Sequence, residues 1–313
     1  MLDSVKCVWV VTGSKYVPWA LASTASVHIH HPDMELVWLA SNDTMNRLCE
    51  LLPEWLEAKL QVRVVAAKEE DNRIASRRLK VQARQLVEGD FFQLDADLLL
   101  ARPLRFSDFE NVASVAAALN RETLGDFKED FENKWSQQLF RQAGWKWPEN
   151  YFNTGFLFWK DNERTHGFCK GWQEARDEFT ARVGKVIDQP AFNRVACEHE
   201  HVTVVDSCYN SPVSTLPQLS RKARCYHYYA DQDGHDGFRG TALGYLAEKL
   251  SNKDNDARAA IEQFARSPRP FVGWGANSTQ YRMAGQWANY FERKLRVSLN
   301  HLKRKFAGAP HRN

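Results

Sequence analysis

The chain has 313 residues, a formal net charge of +3 and a hydrophobic content of 43%, which is typical of a soluble globular protein with one large α/β domain or two small ones. This small charge gives no reason to expect a nucleic-acid partner. The six cysteines form no Cys-x-x-Cys pair and no tight framework, which argues against a disulfide scaffold and a structural zinc site and favours a reducing compartment.

The first predicted element is a strand from Val5 to Thr12, rich in β-branched and aromatic residues. It stops at the turn signal Gly13-Ser14, and Pro18 with the small apolar residues that follow predicts a helix. A strand, a Gly-containing loop and a helix in this order present backbone N–H groups to a phosphate or a nucleotide. The candidate nucleotide-binding residues in this loop are Thr12, Gly13 and Tyr16.

The following segments alternate between the periodicities of strands and helices. Strands are predicted at Glu35 to Ala40, Leu60 to Val65, Val112 to Leu119, Tyr151 to Trp159, Val202 to Asp206 and Arg224 to Tyr229. Helices are predicted at Thr44 to Lys59, Arg77 to Val87, Phe127 to Gln142 and Glu163 to Arg182. The predicted fold is α/β, with a mixed, mostly parallel sheet flanked by helices.

The stretch from Phe91 to Leu100 contains two carboxylates, Asp95 and Asp97, in a segment otherwise typical of a buried strand. An ionised Asp inside such a strand is costly unless it is paired or bound to a metal. We therefore expect the pair just past the C-terminal end of the strand, where open α/β sheets bind ligands. Two carboxylates at this spacing can converge on a divalent cation that also meets phosphate oxygens. A pair of solvated turn aspartates is the alternative.

Three further polar motifs each allow two interpretations. Asn153-Thr154-Gly155 interrupts an aromatic strand, which indicates either the close approach of a ligand or backbone, or a β-bulge. Asp188-Gln189-Pro190 fits a functional pair, but a helix cap followed by proline also explains it. His227 lies in a late aromatic strand and His235 in the next loop, and each is either a metal or ligand residue or a structural one.

Together these motifs resemble the retaining glycosyltransferases of family 8, which have the GT-A fold and include bacterial lipopolysaccharide galactosyl- and glucosyltransferases and glycogenin. The resemblance extends from about residue 5 to 235. It is carried by Arg78-Leu79-Lys80, Leu94-Asp95-Ala96-Asp97, Tyr151-Phe152-Asn153-Thr154-Gly155, Asp188-Gln189 with Asn193, Ser207-Cys208-Tyr209-Asn210, and His227.

The resemblance implies metal-dependent transfer of a hexose from a nucleotide diphosphate sugar, UDP-linked, to a glycan or glycolipid acceptor, with retention of anomeric configuration. It implies a GT-A domain over residues 1–240 and a helical C-terminal extension over residues 241–313. Mn²⁺ or Mg²⁺ would be held by Asp95, Asp97 and His227. The nucleotide sugar would contact Arg78, Asn153, Gly155, Asn210 and His235, with Asp188 and Gln189 near its anomeric carbon.

Two departures from the family pattern leave other functions open. Thr12-Gly13-Ser14 stands where the family has acidic residues that contact base and ribose. The loop from Asp231 to Gly237 lacks the family's Gly-x-x-Lys-Pro-Trp, so His235 or Arg239 would take over the role of that lysine on the diphosphate. The alternatives are a catalytically degenerate nucleotide-sugar or glycan binder and a sugar-1-phosphate nucleotidyltransferase, whose Gly-rich basic loop is poorly matched here.

The C-terminal segment predicts a basic amphipathic helix. From Arg293 to Asn313 there are seven Lys or Arg residues and no acidic residue. One helix face carries the apolar residues Phe291, Leu295, Leu299, Leu302 and Phe306. Such a helix either lies on an anionic membrane surface or docks on the core with a solvated basic edge. Because no segment has the pattern of a signal peptide or a spanning helix, we expect a cytoplasmic protein, peripheral on the inner face of the membrane in the first case.

Overall fold

The computed structural model describes residues 5–65, 71–120, 131–199, 202–228, 238, 240–273 and 276–307, and all structural statements refer to these residues. The strands β1 to β10 are Lys6–Val11, Glu35–Ala40, Leu60–Val64, Phe91–Leu94, Leu98–Leu100, Val115–Leu119, Phe152–Trp159, Val202–Val205, Ser211–Pro212 and Cys225–His227. The helices α1 to α11 are Val17–His30, Asn42–Leu51, Glu54–Glu57, Asn72–Leu86, Phe131–Ala143, Glu163–Val183, Gln189–His199, Ala242–Ser251, Ala257–Arg266, Ser278–Met283 and Trp287–Ala307.

The main sheet has seven strands in the order β3-β2-β1-β4-β7-β6-β8. β7 runs antiparallel to β4 and β6, and the other neighbours are parallel, which confirms the predicted mixed, mostly parallel sheet. Trp9 of β1 pairs with Leu94 of β4, so these two parallel strands end side by side. The loops that contain Gly13 and Asp95 therefore leave the same edge of the sheet.

Apolar layers cover both faces of this sheet, which explains why its strands read as continuous apolar runs. Phe92 faces a core shared with α1, α2, α8 and α9. Phe91, the adjacent residue, faces a second core shared with α4 to α7. In β7 all eight residues are buried, including the polar Asn153 and Thr154. The polar groups in β7 therefore need partners inside the protein.

A small second sheet lies beside the first and has the order β5-β10-β9. β5 follows β4 after only three residues, and β10 pairs with it in antiparallel register, with His227 opposite Leu98. The backbone N–H of Tyr228 donates to the carbonyl of Asp97 at 3.0 Å. The pairing of β5 with β10 thus brings a residue far along the chain next to the turn that holds Asp95 and Asp97.

Three helix predictions differ from the structure. The helix predicted at Arg77 to Val87 is α4, which begins five residues earlier, at Asn72, after its cap Asp71. The segment Thr44 to Lys59 forms two helices rather than one, since Pro53 separates α2 from α3 and cannot donate a helical hydrogen bond. The predicted helix Phe127 to Gln142 corresponds to α5 from Phe131 onward, and residues 127–130 lie outside the described residues.

The first helices of the C-terminal segment pack on the sheet domain. Leu243 and Leu246 of α8 and Ile261 of α9 belong to the same core as α1. The boundary at residue 240 stays a prediction. α11 differs, because Phe291 and Leu295 are 64% and 63% exposed. None of the described helices combines the length and the apolar character that crossing a membrane requires.

Candidate metal centre and active site

Asp95, Asp97 and His227 form a cluster at the C-terminal end of β4. Each offers one ligand atom, and these three atoms lie within 4.8 Å of one another. The two aspartates occupy the turn between β4 and β5, and His227 is the last residue of β10. The structure therefore brings together the three residues that the sequence predicts as metal ligands.

A chain of buried side-chain amides fixes the orientation of His227. Asn210 Oδ1 lies 2.7 Å from His227 Nδ1, while Asn210 Nδ2 donates to Asn153 Oδ1 at 2.8 Å. Asn153 Oδ1 also accepts the backbone N–H of Gly155, and its Nδ2 donates to Asn120 Oδ1. Because Asn210 Oδ1 can only accept, Nδ1 carries a proton, and in the neutral imidazole the lone pair then lies on Nε2, the nitrogen that a metal would bind.

Gly155 is required by the approach of His227 itself. A Cβ atom at this position would lie 2.5 Å from His227 Cε1, closer than two non-bonded carbon atoms can approach each other. The pairing of β6 with β7 also shifts register between Ala117 and Leu119, an irregularity of the ladder beside this motif. The polar insert in β7 is thus a place of close approach to His227, next to an irregular stretch of strand pairing.

The carboxylate of Asp188 is held on both oxygens by cations. Arg77 Nη1 lies 2.6 Å from Oδ1, and Lys80 Nζ lies 3.2 Å from Oδ2. Thr154 Oγ1 donates to Oδ2 at 3.0 Å. Lys80 also contacts Asp95 Oδ1 at 2.7 Å, so one ammonium group touches both Asp188 and a candidate metal ligand. The position of Asp188 directly before α7 fits a helix start, but its side chain serves this ionic cluster.

The charges in this cluster shift one another's pKa values. Burial raises the pKa of Asp188, but Arg77 and Lys80 outweigh this effect and hold that pKa well below its usual range. Burial lowers the pKa of Lys80, but Asp188 and Asp95 together raise it. Burial also raises the pKa of Asp95, against the charge of Lys80 and with the help of Asp97. Asp188 is therefore an ionised, fixed carboxylate.

The residues present fit a divalent cation. Within the described residues, Asp97 Oδ1 is buried without a hydrogen-bond partner, and it lies 3.3 Å from His227 Nε2. In the neutral imidazole with the proton on Nδ1, these two atoms are both electron-rich, and a shared cation would relieve their repulsion. The ion pairs recorded among the described residues join the carboxylates of Asp95 and Asp188 to Arg77 and Lys80, and Asp97 is paired with neither of these cations. Carboxylate and imidazole together are a donor set for Mn²⁺.

The β1–α1 loop lies at the same edge of the sheet. Thr12 Oγ1 donates to the carbonyl of Asn72, and the N–H of Gly13 donates to Thr44 Oγ1 at 3.1 Å. Gly13 has a φ of 87°, which a residue with a side chain rarely adopts. The ring of Tyr16 packs edge-on against that of Trp19. The loop is thus tied to α2 and α4, and Tyr16, which is partly exposed, is its candidate for ligand contact.

Sequence reasoning missed Arg77, Lys80 and Thr154 as members of the site. Arg78, the predicted nucleotide-sugar residue, is half-buried on the same helix. Gln189 is also half-buried, and within the described residues its side-chain amide has no hydrogen-bond partner. His235 lies outside the described residues. The only signal for Lys80 in the sequence was its place in the Arg-Leu-Lys motif.

The mixed, mostly parallel sheet flanked by helices is similar in fold to that of GT-A glycosyltransferases. Residues 91–230 match the model of a family described as nucleotide-diphospho-sugar transferases, and this segment contains Asp95, Asp97, Asp188 and His227. This segment is less than half of the chain. Together with the similarity in fold described next, the match supports the predicted resemblance to glycosyltransferase family 8 and the predicted enzyme class, a transferase.

Several solved structures are similar to this chain in fold. A galactosyltransferase, LgtC, in complex with donor and acceptor sugar analogues has a TM-score of 0.54 at 14% identity, covering 82% of this chain and all of its own. GlyE, a glycosyltransferase of Streptococcus pneumoniae, has a TM-score of 0.53 at 14% identity, covering 83% of this chain and 63% of its own. The bifunctional glycosyltransferase WbbM has a TM-score of 0.52 at 15% identity, covering 73% and 46%. No curated protein sequence matches this chain.

Proposed function

We propose that this protein transfers a hexose from a UDP-linked sugar to a glycan or glycolipid acceptor, with retention of anomeric configuration. The observation that supports the proposal best is the convergence of Asp95, Asp97 and His227 within 4.8 Å. In a GT-A fold this cluster lies where a nucleotide diphosphate would enter, beside the β1–α1 loop.

Asp95, Asp97 and His227 would hold Mn²⁺, or Mg²⁺, at this site. A divalent cation there neutralises negative charge on a diphosphate and so favours its departure from the sugar. The protein's own groups prepare the site: Asn210 selects the tautomer of neutral His227 that has its lone pair on Nε2, and Lys80 holds Asp95 in place. Asn153 and Asn210 are 3% and 2% exposed, so their proposed contribution to donor binding acts through His227.

Asp188 and Gln189 are the proposed residues at the reacting sugar. Asp188 is a buried, ionised carboxylate that Arg77 and Lys80 hold in one orientation, and its negative charge would stabilise positive charge at the anomeric carbon without direct contact. The side-chain amide of Gln189, adjacent in the chain, is available to hydrogen-bond the sugar. Neither residue needs to form a covalent bond for this role.

We also propose that α11 contacts an anionic membrane surface. Four exposed apolar residues repeat every four positions, at Trp287, Phe291, Leu295 and Leu299, and a fifth, Val297, lies outside this repeat. Basic residues lie among them, at Arg293, Lys294 and Arg296. The first turns of α11 pack inward, where Tyr290 meets the small cluster around Phe271 and Tyr281. An exposed apolar stripe beside basic residues favours a membrane surface over docking on the core, and a glycolipid acceptor would be found there.

The test is a measurement of melting temperature with nucleotide diphosphates and nucleotide sugars, with and without Mn²⁺. Ligand at about 100 times its Kd stabilises the folded state by about 2.7 kcal/mol, so we expect a rise with UDP and one UDP-sugar that requires Mn²⁺. Asp97→Ala should keep the melting temperature of the unliganded protein within a few degrees and lose the rise. Metal-dependent turnover that persists in Asp97→Ala would contradict the proposal. Binding without hydrolysis or transfer of the donor would instead identify a degenerate binder.

A further inference from the structure

Arg77 is anchored at the site by a single contact. Its Nη1 lies 2.6 Å from Asp188 Oδ1, and its side chain is 37% exposed. Among the described residues, the structure records no other hydrogen bond or ion pair for this guanidinium group. Because a guanidinium group carries five N–H donors in a planar fork, most of the donors of Arg77 remain available to a ligand while Asp188 holds the group in place.

The surroundings of Arg77 are those of the proposed diphosphate. Besides Asp188, the carboxylates of Asp95 and Asp97 raise the pKa of the guanidinium group, against the effect of burial. Through Asp188 and Lys80, Arg77 belongs to the same ionic cluster as the candidate metal ligand Asp95. Lys80 is different, because its side chain is 4% exposed and its ammonium group is already shared by Asp95, Asp188 and Thr154. Arg77 is the cation of this cluster that a ligand can reach.

We propose that Arg77 binds the β-phosphate of the nucleotide sugar and of the nucleoside diphosphate product. The inference rests on the proposed function and adds a binding residue to it. Asp188 is proposed to act on the anomeric carbon, which is bonded to the β-phosphate, so a guanidinium group fixed on Asp188 would lie next to that phosphate. Arginine suits this role because its fork matches two phosphate oxygens at once.

This role would also answer a question raised by the sequence. The segment Asp231 to Gly237 contains no lysine for the diphosphate. A cation supplied from α4 would provide that charge instead. Arg78, the next residue, keeps its own predicted role, since consecutive residues on a helix point about 100° apart and so reach different parts of a ligand.

The experiment is a calorimetric titration of UDP and of UMP, each with Mn²⁺, into the wild type and three variants. Arg77→Gln removes the charge, Arg77→Lys keeps the charge without the fork, and Arg73→Gln is a matched control on the same helix, since Arg73 is exposed and pairs only weakly with Asp71 at 3.9 Å. Melting temperatures of all four proteins without ligand show whether the fold is intact.

We expect the affinity of Arg77→Gln for UDP to fall about tenfold to one hundredfold, as on loss of a charged hydrogen bond, with a smaller change for UMP. Arg77→Lys should lie between this variant and the wild type, and Arg73→Gln should match the wild type. Unchanged UDP affinity in Arg77→Gln, or an equal loss for UDP and UMP, would overturn this inference alone. Failure of the wild type to bind either nucleotide would overturn the proposed function as well.

Discussion

The ammonium group of Lys80 lies 3.2 Å from the carboxylate of Asp188, and the two side chains are 4% and 2% exposed. A buried ion pair of this kind is not itself strong evidence of stability, because removing two charges from water is costly. Breaking it is a different matter, since the remaining charge stays buried without compensation. Replacing Lys80 would also remove the ion-pair partner of Asp95, so the change should affect the candidate metal site as well.

We therefore expect Lys80→Met to lower the free energy of unfolding by about 3–5 kcal/mol, as measured by urea denaturation. Adding Asp188→Asn to this variant should restore part of the loss, because the uncompensated carboxylate is then neutral. Lys170→Met is the control, since Lys170 is 75% exposed and its replacement should leave stability nearly unchanged. A loss in Lys80→Met no larger than that of the control would show that the cluster is not coupled in this way.

Gly155→Ala tests the fit of β7 against His227. The added methyl group would meet His227 Cε1 at 2.5 Å, so the imidazole ring must move. We expect a stability loss of about 1–3 kcal/mol and an affinity for Mn²⁺ about tenfold to one hundredfold lower, as measured by titration calorimetry. Gly167→Ala is the matched control, because nothing lies near that position inside α6, and there alanine should stabilise the helix slightly. Mn²⁺ affinity unchanged by Gly155→Ala would contradict the proposed role of His227.

The tail proposal is checked with single charges placed on two sides of α11. Leu295→Glu alters the exposed apolar stripe, whereas Asn300→Glu adds the same charge about 140° around the helix. We expect Leu295→Glu to reduce sedimentation with vesicles that contain phosphatidylserine several-fold more than Asn300→Glu does. Equal binding by both variants would contradict the proposal. If Leu295→Glu instead lowers the molar mass in solution, the stripe pairs with a second copy of the chain.

Stability should decrease in mild acid because of His31. Burial, assisted by His30, lowers the pKa of His31 from 6.5 to about 4, and its Nε2 accepts the N–H of Leu104 at 2.9 Å. Between these two pH values the unfolded chain binds a proton that the folded protein does not, so the free energy of unfolding falls as the pH falls through this window. Above it, His31 is neutral in both states and contributes no pH dependence.

Urea denaturation at pH 7 and pH 5 measures this effect. His31→Gln should lose about 1 kcal/mol less than the wild type between these pH values, an amount reduced for partial solvent screening. The free energy of unfolding of His31→Gln should still fall between pH 7 and pH 5, because burial also lowers the pKa of His28 and of His30. An equal fall in the variant and the wild type would show that the pKa of His31 does not change on folding.

The local sequence pattern was sufficient to predict most strands of the seven-stranded sheet. β2 has the predicted bounds, and β1 and β7 each differ from prediction by a residue at their ends, because runs of β-branched and aromatic residues bounded by turn signals identify buried strands. The strand order could not be read from the chain, since it depends on which strands pair across long separations. The small sheet was only partly foreseen, because three-residue and two-residue strands such as β5 and β9 are too short to show a period.

The candidate site, like the sheet, was only partly predictable from the sequence. Asp95, Asp97 and His227 stood out because charged or imidazole groups in apolar strands require an explanation, and a family resemblance united them. Arg77 gave no such signal, since an arginine on an amphipathic helix is ordinary and its partner Asp188 lies more than a hundred residues away. The amide chain from Asn153 to Asn210 was also beyond local pattern, because it joins β7 to the segment before β9.

The candidate ligands come from both sheets, with Asp95 at the end of β4 and His227 at the end of β10. An ion held by both would act as a non-covalent cross-link between the seven-stranded sheet and the small one, and its binding free energy would be available only while the two sheets are in contact. Amide hydrogen exchange in β9 and β10 should then slow on addition of Mn²⁺, while exchange at the far edge, in β3, stays the same. The concentration of the metal ion would thus determine how stably the small sheet is held against the seven-stranded sheet.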